Sequence, residues 1–65
     1  MEIQINDILQ MKKPHPCGER CFLVTRTGMD WKLVCQGCGH EIMAPRFRLE
    51  KNVKSVFRSG ERVWP

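Results

Sequence analysis

The sequence predicts a small β-rich domain of short antiparallel strands, stapled by a metal knuckle and carrying a short C-terminal helix. Three observations predict it. The chain has 65 residues, a length that buries too little surface to be comfortably stable on apolar packing, so a staple is expected. Two of its four cysteines stand in C-Q-G-C-G-H, where Cys35 and Cys38 have the two-residue spacer that lets both thiolates approach one tetrahedral ion. Its apolar residues fall in short β-rich runs punctuated by Gly, Pro, Asn and Asp.

Ile3 and Ile5 alternate with polar residues, Asn6-Asp7 offers a turn, and Ile8, Leu9 and Met11 resume the apolar pattern. Residues 3–13 therefore read as two short strand pieces around a bend. Pro14 and Pro16 bracket His15, remove two backbone donors and stop strand pairing, which makes Pro14 to Gly18 a shaped loop. F-L-V-T-R-T and W-K-L-V flank T-G-M-D, a hairpin whose closure around Gly28 and Met29 carries Cys21 and Phe22 toward Cys35 and Gln36. E-I-M-A forms one more short strand, ended by Pro45. Beyond it Leu49, Val53, Val56 and Phe57 recur at i, i+4, i+7 and i+8, the stripe of an amphipathic helix. Lys51, Lys54 and Arg58 fall on another face, Glu50 and Lys54 form an i, i+4 pair, and Gly60 is the stop.

Composition narrows the class. Apolar runs such as Phe22 to Val24 are far shorter than the roughly 20 residues of a helical span. Met1 to Gln10 carries Glu2 and Asp7 and has no apolar stretch of the kind a secretory leader needs, so the expected location is cytoplasmic. In that reducing compartment four cysteines in a short chain point to metal rather than disulfides, and N/S donors at this spacing point to Zn2+. A redox C-x-x-C belongs to a larger βαβ context that this chain lacks. The upstream half of the site offers His15, Cys17 and Cys21, of which tetrahedral zinc takes two. Cys17-x3-Cys21 gives a four-cysteine ribbon and is slightly favoured by spacing, while His15-x-Cys17 is presented by the proline-stiffened loop. His40 follows Cys38 too closely to join a simple tetrahedral site readily.

Through N-D-I, M-K-K-P-H-P-C-G, R-T-G-M-D, C-Q-G-C-G-H and M-A-P-R, from about Ile5 to Phe57, the chain resembles the YyzM-like proteins of Gram-positive bacteria, classed as domain of unknown function 951. In that family's pattern a histidine and the first cysteine match His15 and Cys17, the knuckle matches Cys35 and Cys38, and the position of Cys21 is not a fixed cysteine. The resemblance thus implies His15, Cys17, Cys35 and Cys38 as the ligand set, with Cys21 the alternative to His15. A single zinc-stabilised domain is expected over residues 1–58, followed by a tail over 59–65.

Four protein ligands would close the zinc site to water, so the metal is expected to be structural. The acids Glu2, Asp7, Glu19, Asp30, Glu41, Glu50 and Glu61 are scattered singly, and no spaced Ser and base is present, so the chain is not expected to be an enzyme. The net charge is +4, and five cations, Arg46, Arg48, Lys51, Lys54 and Arg58, crowd into one short stretch. With Lys12 and Lys13 before the zinc loop, the set Lys12, Lys13, Arg46, Arg48, Lys51 and Lys54 is expected to bind nucleic acid, DNA or RNA, including a ribonucleoprotein. The competing reading makes these residues the solvated face of a helix, and the domain a protein-interaction adaptor. Trp31 and Phe22 read as hairpin core, with Trp31 as a stacking platform the alternative, and Met29 as an exposed contact. The opening I-N-D-I-L-Q-M-K-K resembles the first strand of SH3-like barrels, so the predicted fold is an SH3-like partly open barrel with a zinc knuckle.

Overall fold

The computed structural model describes residues 2–14 and 16–64. Six strands and one helix follow in the order β1 (Ile8–Met11), β2 (Cys21–Arg26), β3 (Asp30–Cys35), β4 (Glu41–Pro45), α1 (Arg46–Glu50), β5 (Val53–Arg58) and β6 (Glu61–Trp64). They make one antiparallel sheet in the order β4-β3-β2-β1-β5-β6. The sheet is open rather than a closed barrel, with β4 and β6 at its edges.

Directly paired residues share a face of a sheet, so the register defines the core. Leu9 lies opposite Phe22 and Val56, and Phe22 lies opposite Cys35. One rung farther along, Val24, Leu33 and Ile42 line up, and Met11 meets Val53 across β1 and β5. All of these except half-buried Ile42 are 0–3% exposed, as is Trp31, and Ile3, Leu49 and Trp64 pack against them. The alternation in β1 to β3 is thus that of a sheet with one face on a core. Trp31 and Phe22 are core residues, while Met29, at 90% exposed, stands out from the hairpin tip.

The β2–β3 hairpin closes as the sequence predicts, with Phe22 opposite Cys35 and the Gln36 amide donating to the Cys21 carbonyl at 3.0 Å. β4 ends at Pro45 as expected. At the N-terminus only the second strand piece forms. Asn6 adopts φ 76 in the expected bend, and its amide donates to the Val24 carbonyl.

The C-terminal third departs from expectation. The helix is five residues long and precedes Val53. Val53, Val56 and Phe57, read as a helical stripe, belong instead to β5, which pairs with β1. A register shift between Gln10 and Met11 leaves Lys54 as the extra residue of a bulge, so Val53 and Val56, three apart, both turn inward. That shift imitates helical spacing, and β-branched valines take the strand that covers the free side of β1. The expected Glu50–Lys54 pair is absent, because the helix ends at Glu50. Glu50 accepts from Arg46 instead, Nε to Oε1 3.1 Å.

Nor are residues 59–64 a tail. Ser59 and Gly60 both have positive φ, 53 and 81, and Arg58 pairs with Glu61, so Gly60 closes a two-residue hairpin rather than stopping a helix. Across that hairpin Trp64 lies opposite Val56 and packs on the core.

One buried ion pair ties the sheet together. Asp7, 1% exposed, accepts from Arg58 through both carboxylate oxygens, Nε to Oδ1 and Nη2 to Oδ2 each 2.9 Å. Oδ2 also accepts the Gln4 amide at 2.9 Å, and the Asp7 carbonyl accepts the Val24 amide at 2.8 Å. The Arg58 guanidinium, with the Gln4 amide assisting, holds the Asp7 carboxyl below its usual range against the opposing effect of burial.

Candidate metal centre

The hairpin and the proline loop converge on sulfur. Cys35 ends β3 on the core face, and the turn that follows is tight. The Gly39 amide donates to the Cys35 carbonyl at 2.9 Å, and the Cys35 amide donates to the His40 carbonyl at 2.9 Å. This turn swings Cys38 back beside Cys35. The loop preceding β2 brings in Cys17, and the sulfurs of Cys17, Cys35 and Cys38 lie within 4.8 Å of one another. Cys17 Sγ and Cys35 Sγ are 3.4 Å apart. An ion with metal–sulfur bonds of about 2.3 Å holds tetrahedral sulfurs roughly 3.8 Å apart, so these three thiols need only small adjustments to share one.

The surroundings favour the thiolate at Cys35 and oppose it at Cys17. Burial by itself would raise the Cys35 thiol, but the amides of Cys38 and Gly37 point at its sulfur and the Cys17 and Cys38 thiols lie beside it. Together they hold it below the ordinary cysteine range. At Cys17 the Glu19 amide favours the thiolate, yet desolvation and the neighbouring Cys35 and Cys38 sulfurs outweigh it and the thiol sits higher than usual. The loops also meet without room to spare. A Cβ built on Gly37 would stand 2.8 Å from Glu19 Cβ and 3.3 Å from Cys17 Sγ. Only glycine lets the knuckle seat against the Cys17 loop. Three soft donors, amides aimed at sulfur and a cradle that a methyl would fill together fit a metal ion of the thiophilic class.

Cys21 lies outside this cluster for a reason of register. It pairs with Gln10, one residue from the Leu9–Phe22 pair, and so projects from the face opposite that of Phe22 and Cys35. There it is engaged by Glu19: burial, reinforced by that carboxylate, pushes the Cys21 thiol up. Glu19 also accepts the amides of Arg20 and Cys21 at 2.8 and 3.1 Å, and these amides hold its carboxyl below the usual range. His40 contributes its carbonyl rather than joining the three sulfurs. His15, the expected ligand next to Cys17, lies outside the described residues.

The predicted basic residues divide in two. The Lys12 amide donates to the Asn52 carbonyl at 2.7 Å and the Lys13 amide to Asn52 Oδ1 at 3.3 Å, which sets both lysines beside Lys51. Lys54 follows at the β5 bulge. Lys12, Lys13, Arg48, Lys51 and Lys54 are all exposed, and among the described residues none is ion-paired. Arg46 stands at the other end of α1, its amide on the Met29 carbonyl at 2.8 Å and its guanidinium on Glu50. Asp7–Arg58 is the feature sequence reasoning missed. The helical reading puts Arg58 on a solvated face; its place in β5, next to the Phe57–Ile8 pair, brings it to Asp7.

Among the described residues no helix is long and apolar enough to cross a membrane. No solved structure matches the chain. The chain is 48% identical over 57 residues to the uncharacterized protein YyzM of Bacillus subtilis (strain 168), an alignment covering 88% of this chain and 84% of that protein. Residues 3–57, which hold β1 to β4 and all of β5 but Arg58, match the model of the family described as bacterial protein of unknown function (DUF951), and the chain belongs to that family.

Proposed function

We propose that this chain is a non-enzymatic, cytoplasmic nucleic-acid-binding module whose fold is held by one structural zinc ion on His15, Cys17, Cys35 and Cys38. The observation that carries the metal is the convergence of three sulfurs within 4.8 Å, from loops far apart in sequence. Zinc is favoured over softer ions by the mixed nitrogen and sulfur set that His15 would complete. The outward orientation of Cys21 supports His15 over the four-cysteine alternative. When bound, the ion supplies folding energy, and four protein ligands leave it no open position for water.

The SH3-like reading is supported by strand order. Four consecutive antiparallel strands are followed by one short helix and a fifth strand that returns beside β1. The binding reading rests on Lys12, Lys13 and Lys51 gathered around Asn52, with Lys54 and Arg48 beyond them and no carboxylate among the described residues to neutralise them. Arg46, engaged by Glu50, takes a lesser part. A protein adaptor would not need such a row of unpaired ammonium groups.

A salt titration tests this. Three to five phosphate contacts to a single strand give a slope of log K against log salt of about −2 to −3.5. Changing Lys12 and Lys13 together to Ala should flatten it by about 1.4. A flat response in the unaltered protein, or no binding at low salt, contradicts the proposal.

A further inference from the structure

Beside the lysines is a groove of about 200 Å³ that the nucleic-acid reading does not use. The loop supplies Pro14 and Pro16, β4 supplies Ile42 and α1 supplies Leu49, with Lys13 and Asn52 also lining it. The lining is mostly apolar and stands over the core residues Met11, Phe22 and Leu33. Its polar members are not neutral in sign: Lys13 lines the groove itself, and Lys12 and Lys51 adjoin Asn52.

We propose that this groove receives one unstacked base of a single-stranded nucleic acid, with the flanking phosphates on Lys12, Lys13 and Lys51. The inference rests on the nucleic-acid reading and deepens it by naming the strand state. Three features select this occupant. The space is large enough for a single planar base, and a duplex offers no base that can enter it without unstacking. Proline rings with Ile42 and Leu49 give apolar walls against which a base can pack, whereas hydrogen-bond readout would need more polar groups than Asn52 provides. Lys13 lines the groove, and Lys12 and Lys51 adjoin Asn52 beside it, a local positive charge that suits a phosphate chain. An acidic peptide with one bulky apolar residue would use the same chemistry, and its binding is one of the outcomes the test distinguishes.

The test compares three nucleic-acid ligands of equal length, with an acidic leucine-containing peptide beside them, on the intact, metal-loaded protein at low salt: oligothymidylate, an abasic sugar-phosphate strand, and a duplex. Removing the bases should weaken binding about tenfold, the scale of burying roughly 60 Å² of one base's apolar face, and the duplex should also bind more weakly than the single strand. Equal binding of the abasic strand, or tighter binding of duplex, overturns the groove while leaving the nucleic-acid reading intact. Failure of all three ligands to bind overturns both, as does binding confined to an acidic leucine-containing peptide. The variant Leu49→Gln, checked for an unchanged melting transition, should lose the preference for oligothymidylate over the abasic strand. The ligand comparison uses unaltered protein and stands even if that variant fails to fold.

Discussion

Replacing Asp7 with Asn removes one charge from the most buried ionic contact described and leaves the shape nearly unchanged. Asn still offers an oxygen to the Gln4 amide but cannot answer both nitrogens of Arg58. Breaking a buried pair by changing one partner costs about 3–5 kcal/mol. Arg58 is 36% exposed at its side chain, and water can re-solvate it, so about 2–3 kcal/mol is the expected loss here. A chain of this length has a total stability of roughly 3–10 kcal/mol, which makes the loss a large share. Denaturant unfolding of both proteins, metal-loaded and at neutral pH, measures it as a shift in midpoint at constant slope.

The pH dependence adds a second check on the same pair. The folded-state pKa of Asp7 is depressed, so its contribution is fully present above the unfolded value of about 3.9 and is lost as pH falls through the folded value. The stability difference between the unaltered protein and Asp7→Asn should therefore be constant from neutrality to about pH 5 and shrink below about pH 4. Any metal released in acid would be released from both proteins and would cancel in the difference. A variant within about 0.5 kcal/mol of the unaltered protein, or a gap that persists undiminished in acid, would refute the reasoning.

Other substitutions test other links. Gly37→Ala puts a methyl into Glu19 and the Cys17 sulfur, so metal should be stripped by a chelator at lower concentration and the melting temperature should fall; unchanged retention would show the knuckle is not held by that contact. Gly60→Ala, at φ 81 in open space, should cost about 1 kcal/mol by backbone strain without altering metal content, as read by thermal unfolding. Leu9→Ala, at the centre of the sheet and 0% exposed, should cost about 2–5 kcal/mol, and a loss below about 1 kcal/mol would contradict the core described.

The first two-thirds of the fold was legible because its signals are local. Gly28 marks a hairpin between two alternating runs, Pro45 ends a strand, and C-Q-G-C-G-H announces its own turn. The rest depends on partners far away in sequence. Val53 and Val56 look helical because the bulge at Lys54 breaks the two-residue period, and nothing nearby says that β1 waits to pair with them. Ser59-Gly60 is a hairpin signal in its own right, masked by the helix-like spacing of Leu49, Val53, Val56 and Phe57 before it. The metal site shows the same division. The Cys35–Cys38 pair is readable from its spacer, whereas whether Cys21 joins Cys17 as a ligand turns on strand register, which points Cys21 to the outer face. The basic cluster was legible in composition but not in layout, since Asn52 draws Lys12 and Lys13 to Lys51 while Glu50 occupies Arg46.

The central claim is that one zinc ion closes the hairpin onto the proline loop through Cys17, Cys35 and Cys38, with His15 as the fourth ligand. Metal analysis of the purified protein and its single alanine variants tests this most directly. The account predicts zinc equimolar with the chain, lost or much more weakly held in Cys17→Ala, Cys35→Ala, Cys38→Ala and His15→Ala, and kept in Cys21→Ala. Metal-free protein of undiminished stability, or zinc that survives His15→Ala and departs with Cys21→Ala, would contradict it.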